Sequence, residues 1–341
     1  MILFTSDYTE GCHEKILNAL TKTNMEQTIG YGQDEYCETA KEKIKAAFSL
    51  THSDIHFLVG GTQTNTTVIT SVLKPYQGVI SPDTGHINVH ETGAIEARGH
   101  KVIAVPNKYG KLSAKQIEEL YISHISDESK EHTVMPKMAY ISFPTETGTI
   151  YSKQELCDIY ETCKKCGIYL FIDGARLGYG LACEKCDIKP TELENLCDVF
   201  YIGGTKVGAL FGEALVITND DLKPDFRYMI KQCGGMLAKG RLLGIQFAEL
   251  FTDNLYFEIS KHAVSLALKL KDAFIKKGYS LFADSYTNQQ FVILSNDKAF
   301  ELKCEFGFEL SQKISEKESA YRFCASWATK EENIEKLIMK L

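Results

Sequence analysis

Seven short, almost wholly apolar runs, separated by stretches with helical spacing, limit the possible folds more than any other feature of this chain. They fall at residues 55–59, 78–80, 101–105, 138–142, 168–172, 199–202 and 214–217. A strand with one wet face alternates polar and apolar side chains. A strand without that alternation is covered on both faces, as parallel strands are when helices sandwich them. The intervening stretches supply the helices. Residues 39–49 set Ala40, Ile44, Ala47 and Phe48 on one helical face. Ser113-Ala-Lys-Gln116 and Ser152-Lys-Gln-Glu155 have the capping-box spacing, in which two side chains satisfy two free N–H groups at a helix start. The second opens a helix that turns Leu156, Ile159, Tyr160 and Cys163 toward the sheet. The expected architecture is α/β, a mostly parallel seven-stranded sheet between helices, occupying residues 15–245.

The texture changes after residue 245. An amphipathic stretch through Tyr256, Ile259, Ala263, Leu266, Leu270 and Phe274 predicts a long linking helix. Strands are expected near 279–283, 290–295 and 321–327, and helices over 299–313 and 330–341. These describe a smaller C-terminal α+β domain over 246–341, with residues 1–14 as a segment packing against it. A length of 341 residues with 44% hydrophobic content can fill two such cores.

Charge and cysteine usage narrow the function. With 38 Lys+Arg against 45 Asp+Glu the net charge is −7, which argues against nucleic-acid partners. No apolar run nears the ~18 residues of a membrane helix, and Met1-Ile-Leu-Phe-Thr-Ser has no basic leader segment. A cytoplasmic location with eleven reduced cysteines is expected. Cys163-Lys-Lys-Cys166 and Cys183-Glu-Lys-Cys186 have a zinc-like spacing. The expected strand between them would hold the pairs about 20 Å apart, so no metal is assigned. A zinc-bound interaction protein stays as the non-enzyme alternative.

In open α/β sheets ligands bind beyond the carboxyl ends of the strands. Gly60-Gly61-Thr62-Gln63 follows the first run, where backbone N–H groups and the Thr62 hydroxyl can cup one phosphate. Asp173-Gly-Ala-Arg176 follows the fifth run, offering a carboxylate to a cationic nitrogen. Gly203-Gly-Thr-Lys206 follows the sixth. A phosphate cup, an acid and a lysine, each after a separate strand, match the needs of pyridoxal 5′-phosphate: Lys206 for the Schiff base, Asp173 for the ring nitrogen, Gly61 and Thr62 for the phosphate.

The sequence resembles the β-eliminating lyase/threonine aldolase family of the aspartate-aminotransferase fold (fold type I), and within it the low-specificity L-threonine aldolases. The resemblance rests on Ser6-Asp7, Gly61-Thr62, His86-Ile-Asn-Val-His-Glu-Thr-Gly93, Asp173-Gly-Ala-Arg176, Lys206, Thr287-Asn288-Gln289 and Tyr321-Arg322-Phe-Cys-Ala-Ser326-Trp327. It implies that His86 stacks on the cofactor ring; His86, or a water it holds, is the first candidate for the catalytic base. It implies that Ser6, Arg176 and Arg322 hold the substrate's α-carboxylate, with Arg176 also near the cofactor, and that Glu146 lines the pocket. The stretch from Gly30 through Tyr31 to Tyr36 resembles a family segment that reaches a neighbouring active site, so a homodimer or homotetramer with shared sites is expected; Lys231 is expected to face the carboxylate or the phosphate. The implied reaction is cleavage of the Cα–Cβ bond of L-threonine or L-allo-threonine to glycine and an aldehyde. β-Elimination and transamination share the same cofactor residues and stay open.

Overall fold

A computed structural model describes residues 1–341. Its strands are β1 (Ile2–Leu3), β2 (Asp54–Leu58), β3 (Gln77–Pro82), β4 (Lys101–Val105), β5 (Met135–Ser142), β6 (Tyr169–Asp173), β7 (Val199–Gly203), β8 (Glu213–Ile217), β9 (Leu281–Ala283), β10 (Gln289–Ser295), β11 (Phe306–Gly307), β12 (Glu309–Lys313) and β13 (Glu318–Cys324). All seven apolar runs are strands of one sheet, ordered β2-β8-β7-β6-β5-β3-β4. Strands β3 to β7 run parallel, while β8 is antiparallel to both β2 and β7.

The lack of alternation has the expected cause. Ile80, Ala139, Ile141, Ile172, Phe200, Ile202 and Val216 enter the core on one face of the sheet. Their neighbours Val79, Met138, Tyr140, Phe171, Val199, Tyr201 and Leu215 enter a second core on the other. Both capping boxes form, at the starts of Ala114–Ser126 and Lys153–Cys166.

Helix Leu255–Lys276 leads into the second sheet, β12-β13-β10-β9, which is antiparallel throughout. Leu266, Leu270 and Phe274 of that helix pack on Val292, Leu294 and Phe323 in a third core, which also takes Phe4. Strand β1 pairs in parallel with β11, Ile2 beside Phe306. The helix expected over 299–313 is a correction: it runs only over Asn296–Lys303, and Glu309–Lys313 is an edge strand. That segment is exposed along its length, and its pairing with β13 overrides its local helical pattern. No helix is long and apolar enough to cross a membrane.

The parallel strands put their carboxyl ends on one edge. Ser142 closes β5 in register with Asp173, which closes β6. Gly203 closes β7, and its N–H donates to the Gly174 carbonyl at 3.0 Å. A Cβ on Gly174 would lie 1.8 Å from the Tyr201 carbonyl oxygen, and one on Gly203 2.3 Å from that of Ala175. The glycine after Asp173 and the one before Lys206 are therefore demanded by the same close approach of two turns.

Candidate active site

Asp173 is 4% exposed and accepts four hydrogen bonds: Tyr201 Oη at 2.5 Å, Tyr140 Oη at 2.6 Å, the Ala175 N–H at 3.0 Å and Asn65 Nδ2 at 3.1 Å. Burial alone would raise its carboxyl. The charge of His86, the two phenols and the Ala175 amide outweigh burial and hold it below the ordinary aspartate range, so it is a fixed negative charge. The Asn65 bond is the longest of the four and is the one that can yield to an incoming cationic N–H.

Asn65 lies one turn into helix Gly61–Val72, whose start at Gly60 has no side-chain cap. Its amide also donates to Glu91 Oε1 at 2.7 Å, and the same oxygen meets His86 Nδ1 at 2.7 Å. Glu91 thus fixes the orientation of His86 and leaves Nε2 for other work.

Lys206 sits on the loop after β7, with its carbonyl accepting from Tyr179 Oη at 2.6 Å. Burial lowers its amine below the ordinary lysine value, and Arg176 adds to this; Asp7, Asp173 and Glu213 oppose it. Glu213, opposite Gly203 in β8, is raised to about 8, chiefly by burial. Its carboxyl accepts from the Thr205 hydroxyl at 2.9 Å and the Gly204 N–H at 3.1 Å, tying down the turn before the lysine.

A cleft of about 1150 Å³ opens above these groups, lined by His86, His90, Glu146, Arg176, Lys206 and Arg322 among others. Arg322 comes from β13 of the small sheet, so both sheets build the cleft. Its Nη2 donates to the Thr5 carbonyl at 3.0 Å and to the Glu309 carboxylate, while Nε is buried and unpartnered.

Arg176 departs from the expectation. Its Nε and Nη2 form a fork on Asp7, at 2.7 and 3.1 Å, so two donors expected to hold a substrate carboxylate are spent inside the protein. Asn288 Nδ2 also donates to Asp7, at 2.9 Å. The charge of a buried aspartate needs a paired cation, and Arg176 is the nearest. Ser6 is buried beside Asp7 and is not among the cleft-lining residues. Gly61 and Thr62 lie at the open helix start rather than on the cleft wall. Tyr31 and Lys231 do not join Lys206 within one chain; the lysine Nζ stands 5.1 Å from the Tyr31 ring centre, on a surface shared with Arg227 and Tyr228. The two Cys-x2-Cys pairs do not converge, and no group of three or more His, Cys, Asp or Glu is placed to hold a metal.

Sequence reasoning missed Asn65, Glu91, Tyr140, Tyr201, Glu213 and Gln289 as parts of the site. Glu91 and Gln289 lie within stretches quoted for the family resemblance. Gln289 is fully buried in the cleft wall, with both ends of its amide unpartnered. An unpaired buried amide costs roughly 1–3 kcal/mol. Gln289→Leu is therefore expected to raise the urea unfolding midpoint of the ligand-free protein, whereas a lowered midpoint would show that the amide is satisfied.

The donor set fits pyridoxal 5′-phosphate. A carboxylate held ionised suits a protonated ring nitrogen, an uncapped start of a twelve-residue helix suits a phosphate, and the amine of Lys206 opens into the same cleft.

Comparison with known proteins agrees. The model of the beta-eliminating lyase family matches residues 4–297. A low specificity L-threonine aldolase of Pseudomonas aeruginosa is 30% identical over 339 residues, covering 98% of this chain and 95% of that one. A solved threonine aldolase structure from Leishmania major is 44% identical with a TM-score of 0.96, covering 99% of this chain and 98% of that one. Cystalysin from Treponema denticola, solved with pyridoxal 5′-phosphate, shares the fold at 17% identity and a TM-score of 0.72, covering 100% of this chain and 89% of that one. The matches span both sheets and the whole Lys206 cleft, and the chain belongs to the beta-eliminating lyase family of pyridoxal-5′-phosphate enzymes.

Proposed function

We propose that the protein cleaves the Cα–Cβ bond of L-threonine and L-allo-threonine, releasing glycine and an aldehyde. The carrying observation is the convergence of Lys206, Arg322 and Glu146 on one cleft beside the buried Asp173. The chain's full-length likeness to threonine aldolases favours this reaction over β-elimination or transamination.

Bound in the cleft, pyridoxal 5′-phosphate supplies a carbonyl for the substrate's amine and a sink for the electron pair of the broken bond. The protein's residues do the rest. Asp173 keeps a negative charge at the base of the site. The N–H groups of Gly61 and Thr62 present the positive end of a helix dipole. The guanidinium of Arg322 binds the α-carboxylate and thereby sets which bond to Cα is turned for cleavage, an orientation effect. Lys206 is kept low in proton affinity by burial, so that its amine can act as base and nucleophile. His86, held by Glu91, presents Nε2 toward the site. Purified, cofactor-loaded protein given L-threonine is expected to release glycine and acetaldehyde in equal amounts. Release of a keto acid and ammonia instead would overturn the assignment.

The working assembly is a homodimer or homotetramer. Tyr31 is 47% exposed beside Lys231 and Tyr228, a surface that suits a second copy's site. The division of labour follows the two sheets, with residues 15–245 holding the cofactor, and residues 246–341 together with 1–14 contributing Arg322 and its support. A cytoplasmic location is supported by the eleven cysteines, all free thiols.

A further inference from the structure

Glu146 stands on the turn after β5, half-buried in the cleft wall, and its two oxygens are in different situations. Oε1 accepts from the Ser142 hydroxyl at 2.6 Å and from the backbone N–H of His86 at 3.0 Å. Oε2 accepts no hydrogen bond from any other residue. A carboxylate clamped through one oxygen presents the other with little freedom, into the cleft that also holds Lys206 and Arg322. The titratable groups around it are His86, Tyr140 on β5, Asp173 on β6 and the buried Tyr151. Burial raises its carboxyl above the ordinary glutamate range; the bonds from the Ser142 hydroxyl and from the backbone N–H groups of Glu146 itself and His86 oppose the rise, and the charge of Asp173 adds to it. His86, the other candidate base, has Nδ1 held by Glu91 and keeps Nε2 free.

We propose that Glu146 Oε2 takes the proton from the substrate's β-hydroxyl. The inference rests on the cleavage reaction above and names the base that reaction needs. As the O–H proton passes to Oε2, the Cβ–O bond becomes a carbonyl and the Cα–Cβ bond breaks. The electron pair stays with the glycine fragment, whose Cα then takes up a proton. Glu146 returns its own proton to solvent, so atoms and charge balance. A carboxyl raised toward working pH is the stronger base for this transfer.

The test is Glu146→Gln in the cofactor-loaded enzyme. The glutamine Oε1 can still accept from Ser142 and His86, so the local scaffold is kept, but the amide nitrogen cannot take a proton. The expected result is a ~10²–10⁴-fold fall in kcat/KM for L-threonine and loss of the acidic limb of its pH profile. Glycine has no β-hydroxyl, so its Kd measured by calorimetry is expected to be unchanged. Glu146→Asp, which keeps a carboxylate but withdraws it, is expected to fall between the two and to retain an acidic limb. The proposal is overturned if the Gln variant keeps its kcat/KM, if its acidic limb is unmoved, or if glycine affinity falls in parallel, which would mark a role in site assembly. If the parent enzyme binds glycine but makes none from threonine, the cleavage reaction itself fails and the proposal fails with it. Parent activity alongside an active Gln variant sinks the proposal alone.

Discussion

Replacing Lys206 with alanine is expected to remove threonine cleavage by ~10⁴-fold or more, the scale seen when a covalent nucleophile is deleted. No other lysine stands in for it: of the cleft-lining residues only Lys111 is also a lysine, and its Nζ is held by Glu155 at 2.7 Å. The loop around Lys206 is carried by backbone bonds and by Glu213, not by the lysine side chain. The variant should therefore keep its far-ultraviolet circular dichroism while losing both glycine release and the long-wavelength absorption that marks covalently held cofactor. Full activity in Lys206→Ala would remove the lysine from the chemistry.

The second large effect is on stability. Asp7→Asn is expected to cost roughly 3–5 kcal/mol, because it leaves the guanidinium of Arg176 buried without its charge partner. Asp7 is 0% exposed and takes the Arg176 fork together with the Asn288 amide, so it joins the N-terminal segment to the turn after β6 and to the residue just before β10 at once. The pH dependence follows from its direction of shift. Burial pushes the Asp7 carboxyl up, but the charges of Arg176 and Lys206 and the hydrogen bonds from Arg176 and Asn288 bring it below the ordinary aspartate value. A group lowered in the folded state stabilises above its unfolded pKa of ~3.9 and loses that stabilisation as pH falls through the folded value. The gap in urea midpoint between parent and Asp7→Asn should be wide at neutral pH and close on acidification. A gap independent of pH would mean the aspartate acts by packing and not by charge.

Much of this was legible in the chain because it is local. The seven apolar runs became the seven strands, since burial on both faces is written in consecutive residues. Asp173 and Lys206 could be picked out because Asp173 closes a strand just before a glycine and Lys206 follows the Gly203-Gly204-Thr205 turn at the end of the next. What was not legible depends on partners distant in sequence. Arg176 reads as a free cation until Asp7, 169 positions away, is found on its fork. Glu309–Lys313 has a helical pattern until β13 offers it an edge. Tyr140 and Tyr201 read as strand interior, which they are, and only the register of neighbouring strands shows that both hydroxyls end on Asp173.

The central claim is that one amine, that of Lys206, holds the cofactor. Reducing the loaded enzyme with borohydride fixes any such bond, and peptide mass spectrometry then locates it. The account predicts a pyridoxyl phosphate group on the peptide carrying Lys206 and on no other. A label on another lysine, or none on a protein that still cleaves threonine, would contradict it.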